Sequence, residues 1–392
     1  MVKKASQIVF LLILAAVFVS VPVLTVLGRG RISYYEQRTL APLPQLTRES
    51  VLDGSFFTGL DTFLSDHFGG RDALLKADTA LQLRSGKPVV NGIVTNTGSL
   101  LYNQGYAHWG LEYTALSAAA RAEAYRDLQA YVEDGGGTFC LLSLPYQTSY
   151  FADDYPAYLD DRRWNADVMR DCFREAMAAA GVSYLEMYAE YEKAGFPREY
   201  YLETDHHYSL RGGFAAYQAL CAFLRERTAW DFRENASPED FEFLTVDLPF
   251  LGSYNRQLFG LWETSDRAEL AYVKEEIPFK REDNGLPQAA SVYTLPDGAA
   301  PYATYGVYMG GDIAETVIRT DRPDKPDILI YGDSYTNVLE ALLWTQADEL
   351  RSLDLRHYSG DLRAYIAAYR PDIVICVRDE TVLYDKTGNG AT

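Results

Sequence analysis

Three short, unbroken apolar runs constrain this chain most: "TFCLLSLP" at 138–145, "DILIY" at 327–331 and "DIVICV" at 372–377. None alternates apolar with polar, so each reads as a strand covered on both faces. Helical periodicity fills the space around them. "YTALSAAARAEAYRDLQAYVED" from Tyr113 reads as a helix that ends at Gly135–Gly137. "NADVMRDCFREAMAAAG" precedes a strand at "VSYLEMY", and Ser209 precedes a helix at "LRGGFAAYQALCAFLRER". After "DILIY" come a helix "NVLEALLWTQADEL", a strand "LDLRHY" and a helix "DLRAYIAAY". Helices alternating with buried strands predict an α/β fold, a three-layer, flavodoxin-like parallel sheet with helices on both faces.

At 392 residues the chain can form one large domain or two ordinary ones. The expected organisation is a membrane anchor or signal at 1–30 and a helical, turn-rich region at 31–112. The first half of the α/β domain follows at 113–228 and the second at 326–392. Residues 229–325 lose the rhythm, are rich in Pro, Gly, Asp and aromatics, and read as an irregular insertion or cap.

From Ile8 to Leu27 the chain is apolar apart from Ser20, Pro22 and Thr25. Twenty residues at helical rise cover about 30 Å, the thickness of a bilayer core. Lys3 and Lys4 precede this run and no A-x-A site follows, so an uncleaved N-terminal anchor is expected. A secretory signal cleaved near Gly28 is the alternative, and Arg29 and Arg31 weaken the charge argument for orientation. Either way the body is expected outside the cytoplasm. A net charge of −19 argues against nucleic acid as a partner. The 30 tyrosines offer flat faces with polar tips, suited to sugars or to wet interfaces as well as to a core. Cys140, Cys172, Cys221 and Cys376 show no metal-binding spacing, and Cys140 and Cys376 read as buried small hydrophobes.

Two stretches carry chemistry. In "ILIYGDSYTNVLEALL" a buried strand ends at Tyr331, Gly332 permits a turn, and Ser334 opens a helix. Ligands of open α/β sheets bind at the carboxyl ends of strands. A serine there is placed to attack a carbonyl, and the N–H groups of Ser334 and Tyr335 could hold the oxyanion. The plainer reading is a turn capped by Asp333 or Ser334. A nucleophilic serine needs a base and an orienting acid. The chain has only five histidines, and "TDHHYS" places two of them behind an acid. If the segment is extended, Asp205 and His207 face one way and His206 the other. His207 is then the base, Asp205 fixes its ring, and His206 supports the turn or lines the pocket.

"TDHHY" followed by a Gly-Ala-type helix, with a later strand–GDS–helix, resembles the DHHW family of the SGNH-hydrolase-like class, which contains the alginate O-acetyltransferase proteins. "EQRTLAPLPQL", "FLSDHFGGRDALL", "NGIVTNTGSLLY" and "LLSLPYQTSYF" resemble segments of that family in the same order, so the likeness covers most of 34–380. It implies an SGNH-like sheet and a catalytic triad of Asp205, His207 and Ser334. Tyr208 stands where the family has Trp and keeps a flat face for packing or sugar stacking, so it joins His206 and Asp333 as a candidate substrate-lining residue. "LGSYNRQ", with Gly252 and Ser253, is the candidate for a second oxyanion donor. The resemblance also implies a membrane-bound O-acyltransferase partner that delivers acetyl across the bilayer.

The function expected is a serine O-acetyltransferase or acetylesterase acting on a cell-surface or secreted polysaccharide through an acyl-serine, with no cofactor and no metal. Transfer and hydrolysis are not distinguishable at this level. The alternative is a catalytically silent polysaccharide-binding or scaffold protein of a cell-envelope system. A metal phosphoesterase fits poorly, because two metals need further Asp or His ligands at strand ends and "YGDSY" supplies one Asp.

Overall fold

A computed structural model describes residues 2–27, 32–36, 38–103, 110–159, 162–298 and 300–385. Gly28, Arg29, Arg31 and His108 lie outside them. The chain divides into two compact units, Met1–Asn96 with Asn255–Trp262, and Thr97–Tyr254 with Glu263–Thr392.

The first unit opens with α1 (Val2–Leu27). Within it Ser6–Thr25, at mean hydropathy 2.8, is long and apolar enough to cross a membrane. Two further helices, α2 (Ser55–His67) and α3 (Arg71–Arg84), flank a break at Gly69-Gly70. Gly70 sits at φ 82°, where a side chain would be strained. Asp66 accepts from Arg38 Nη1 and from the Ala41 N–H, each at 2.8 Å. The ion pair holds its carboxyl well below the usual range despite burial. Asn91 and Gly92, at φ 50° and 78°, join Val89–Val90 to Ile93–Val94 as a tight antiparallel hairpin.

The second unit holds an eight-stranded sheet. Its strands are β1 (Thr138–Leu144), β2 (Tyr184–Glu186), β3 (Lys280–Asp283), β4 (Leu286–Gln288), β5 (Glu315–Arg319), β6 (Ile328–Gly332), β7 (Glu349–Asp354) and β8 (Ile373–Asp379). The spatial order is β4-β3-β5-β7-β6-β8-β1-β2. β7, β6, β8, β1 and β2 run parallel, while β5, β3 and β4 extend the sheet antiparallel. Three strands therefore come from the 229–325 stretch. Their segments are three to five residues long and lack a long apolar run, so nothing local announced them. A separate ribbon pairs Phe241–Thr245 with Glu269–Val273.

The helices of this unit are α4 (Leu111–Asp134), α5 (Arg162–Ala180), α6 (Met187–Lys193), α7 (Leu210–Arg225), α8 (Asn337–Leu343) and α9 (Leu362–Tyr369). Tyr125 and Leu128 of α4, Phe173 and Met177 of α5 and Ile366 of α9 share one core with Phe139, Leu141, Leu329, Tyr331, Val374 and Cys376. The strand residues of opposite parity, Cys140, Leu142, Ile328, Ile330, Ile373 and Ile375, are equally buried. The sheet is thus covered on both faces, as the apolar runs required. Two elements differ from expectation. α8 stops at Leu343 and β7 begins at Glu349, because Leu350 and Ser352 enter a ladder between β5 and β6 that overrides helical periodicity. The expected strand at "VSYLEMY" is only Tyr184–Glu186 before α6 begins. No disulfide joins the four cysteines, and burial raises the thiols of Cys140 and Cys376.

Candidate active site

Chain order fixes where the site lies. The chain leaves β6, returns as β7 on one side of it, then crosses to β8 on the other. The carboxyl end of β6 is therefore a switch point, where an α/β sheet opens a crevice. Gly332, Asp333 and Ser334 occupy that end. Gly332 is needed for close approach rather than for a turn: a Cβ there would collide with the Val377 carbonyl of β8. Asp333 Oδ1 accepts from the Tyr335 N–H at 2.9 Å and caps the turn. Its Oδ2 lies 2.9 Å from Arg378 Nη1, an ion pair whose angle falls outside hydrogen bonding.

The "TDHHYS" segment is a bent loop, not an extended strand. A bridge between Tyr201 and Tyr208 closes it, and Ser209 Oγ caps α7 by accepting from Gly212 N. The alternation argument for the two histidines therefore fails. Their rings lie against each other at 3.7 Å between centroids, tilted by 37°. The partition of roles comes instead from the bend. Asp205 Oδ1 accepts from His207 Nδ1 at 2.6 Å and from the His207 N–H at 3.0 Å. A carboxylate only accepts, so Nδ1 carries the proton, and His207 Nε2, at 2.9 Å from Ser334 Oγ, is the acceptor. His206 Nδ1 instead meets Ser253 Oγ at 2.7 Å.

Asp205 is fully enclosed. Burial pushes its pKa up, but His207, His206 and the Ser253 N–H outweigh that and hold the carboxyl well below its usual range. The Ser253 N–H donates to Asp205 Oδ2 at 2.6 Å. Asp266 supports the loop from behind, accepting from Glu203 N, Thr204 N and Thr204 Oγ1. Two tyrosines lace the loops together: the Tyr335 hydroxyl donates to the His206 carbonyl at 2.7 Å, and the Tyr208 hydroxyl to the Tyr335 carbonyl.

Ser334 opens onto a cavity of about 460 Å³ lined by Tyr146, His206, Asp333, Tyr335, Arg356 and Arg378 among others. That volume is within the usual range for small-ligand sites. His206 and Asp333 both line it. Tyr208 does not: it is wholly buried beneath α7, so stacking on a sugar is closed to it. Tyr335 also departs from expectation, since its N–H is committed to Asp333 and only the Ser334 N–H is left for an oxyanion. Gly252 is not among the residues that line this cavity. A Cβ there would strike the Thr204 carbonyl, so Gly252 lets its segment pack on the acid loop and deliver the Ser253 N–H. Sequence reading named Ser253 in "LGSYNRQ" for a different role and missed Asp266 and Arg378, whose partners are remote in the chain.

Two groups bring metal-ligating atoms together among the described residues, Asp205–His206–His207 and Asp312–Asp354–His357. In the first, those atoms are engaged with one another or with Ser253. In the second, Arg356 already pairs with Asp354 and Asp312.

Comparison with known proteins matches the model for the SGNH hydrolase-like domain of acetyltransferase AlgX over residues 106–301, and the DHHW protein model over 36–95. The first match includes Asp205 and His207 and ends before Ser334. No curated protein matches. Among solved structures, Bacillus cereus PatB1 is 19% identical with a TM-score of 0.63, over 76% of this chain and 98% of that one. A DHHW family protein from Eubacterium siraeum is 16% identical with a TM-score of 0.57, over 77% and 95%. These likenesses give the fold, and the family model covers half of the sequence. The chain belongs to the family of SGNH hydrolase-like, AlgX-type acetyltransferase domains.

Proposed function

We propose that this protein is an extracytoplasmic serine O-acetyltransferase, or acetylesterase, acting on a cell-surface or secreted polysaccharide. The observation that carries the reading is the continuous relay Asp205–His207–Ser334, with 2.6 and 2.9 Å links, at the mouth of an open cavity. As Ser334 Oγ attacks the acetyl carbonyl, His207 Nε2 takes its proton, and Asp205 stabilises the imidazolium. The tetrahedral intermediate collapses, the leaving group departs with that proton, and acetyl-Ser334 remains. A sugar hydroxyl then loses its proton to His207 and attacks the ester. The new ester leaves as Ser334 recovers its proton. Water in place of the sugar gives hydrolysis.

Membership of an acetyltransferase domain family and the apolar Ser6–Thr25 helix support the rest of the reading. The helix would anchor the enzyme with its body outside the cytoplasm, beside a membrane-bound O-acyltransferase that supplies acetyl. In the domain organisation proposed, 1–30 is the anchor, 113–228 carries the acid and base, and 326–392 carries the nucleophile. The test treats the protein with a fluorophosphonate and maps the adduct by mass spectrometry. Modification of Ser334 that is lost in His207→Ala is the expected result. Failure to label folded protein sinks the reading. In cells, Ser334→Ala should lower polymer O-acetylation as far as gene deletion does; an unchanged polymer would favour the scaffold alternative.

A further inference from the structure

The ring of His207 is held on both faces. His206 lies on one side at 3.7 Å. On the other, the ring of Tyr305 lies 3.7 Å away and only 5° from parallel. Tyr305 comes from the stretch between the two halves of the α/β domain, on a short turn at Tyr305–Val307. It is buried. Its hydroxyl faces that of Tyr208, and its ring packs against the imidazole and edge-on to Tyr308 at 5.2 Å.

We infer that Tyr305 is a positioning residue for the base: its π face fixes the plane of His207 and favours the imidazolium that forms as Ser334 attacks. The inference rests on the proposed role of His207. Two physical effects act together. A ring clamped between two flat neighbours cannot swing about its Cβ–Cγ bond, so Nε2 stays on Ser334 while Nδ1 stays on Asp205. A cation over a tyrosine face is stabilised by the ring quadrupole, more so where water is excluded. His206, clasped by Ser253 at 2.7 Å, closes the second face. The charged and titratable groups around the base are Asp205, His206, Tyr208, Tyr305 and Tyr335, and among them Asp205 is the one that carries negative charge at neutral pH.

The experiment measures the rate of Ser334 modification by a fluorophosphonate as a function of pH, for the full chain and two variants. Tyr305→Leu keeps bulk and loses the π face. It should slow modification about tenfold at neutral pH and move the acidic midpoint of the rate profile to lower pH, since the imidazolium that forms during attack loses the face that stabilises it. Tyr305→Phe keeps the ring and removes only the hydroxyl that faces Tyr208, so it should restore rate and midpoint. If Tyr305→Leu misfolds in part, the amplitude falls but the midpoint of the folded fraction still reports the effect. An unchanged midpoint and rate in Tyr305→Leu overturn the inference, as does a Tyr305→Phe variant as slow as Tyr305→Leu. Absence of labelling in the unmodified protein would strike the proposed nucleophile instead, which separates the two failures.

Discussion

Gly252→Ala is the substitution that tests most sharply how the acid is held. The residue is far in sequence from both active loops, yet its Cα lies against Thr204. An added Cβ would sit well inside contact distance of the Thr204 carbonyl carbon and oxygen, which are backbone and cannot swing away. Either the 250–254 segment retreats or the 204–205 peptide does. Both moves stretch the 2.6 Å bond from the Ser253 N–H to Asp205. A hydrogen bond to a charged group contributes about 1.5–3 kcal/mol, so its loss alone corresponds to roughly 10- to 100-fold in the stability of the acid–base arrangement. A shift of about 1 Å at the base costs about 100-fold by misalignment. The expected outcome is a fall of about 100-fold in the rate of Ser334 modification, with the fold retained by circular dichroism. Ser253→Ala is the control. It keeps the backbone donor and removes only the Oγ contact to His206, so it should lose no more than several-fold. A Gly252→Ala protein within threefold of the unmodified chain would refute the reasoning, because Asp205 would then be held without that segment.

Other outcomes follow from the same geometry. Asp205→Asn should lower acyl-serine formation by about 10⁴, because the amide permits the wrong imidazole tautomer, and this is read in the same labelling rate. Tyr208→Phe should destabilise the protein by about 1–2 kcal/mol in urea unfolding, since the buried Tyr335 carbonyl loses its donor, while labelling changes little. Glu380 is mostly enclosed, with 13% of its side chain exposed, and burial raises its pKa to about 7, with Arg170 opposing the shift. Its folded state holds a proton that the unfolded state releases near pH 4.5, so this group's contribution is present below that pH and is lost as pH rises to about 7. The span is worth roughly 3 kcal/mol, and Glu380→Gln should flatten the fall in stability across it, as measured by denaturant titration at several pH values.

How much of this was legible beforehand depended on whether a signal was local. The apolar runs at Thr138–Leu144, Ile328–Gly332 and Ile373–Asp379 could only be buried strands, because unbroken hydrophobicity over that length has no exposed use. The span at Ser6–Thr25 and the Gly69-Gly70 break are equally local. So is the pairing of Asp205 with His207, two residues apart in one bend. The strands at Lys280–Asp283, Leu286–Gln288 and Glu315–Arg319 were not legible, because they are short and lack a long apolar run, and only their neighbours make them strands. The supports of the site were hidden for a related reason. Ser253 reaches Asp205 across 48 positions. Tyr305 stacks on His207 from a stretch without periodicity. The N–H of Tyr335, read as an oxyanion donor, turned inward to Asp333. Sequence by itself determined which residue types stand at the ends of buried strands, since burial writes its pattern into every few residues. Tertiary structure decided which of them meet, because a hydrogen bond or a stacked ring depends on distance in space, and the chain encodes that only through its folding.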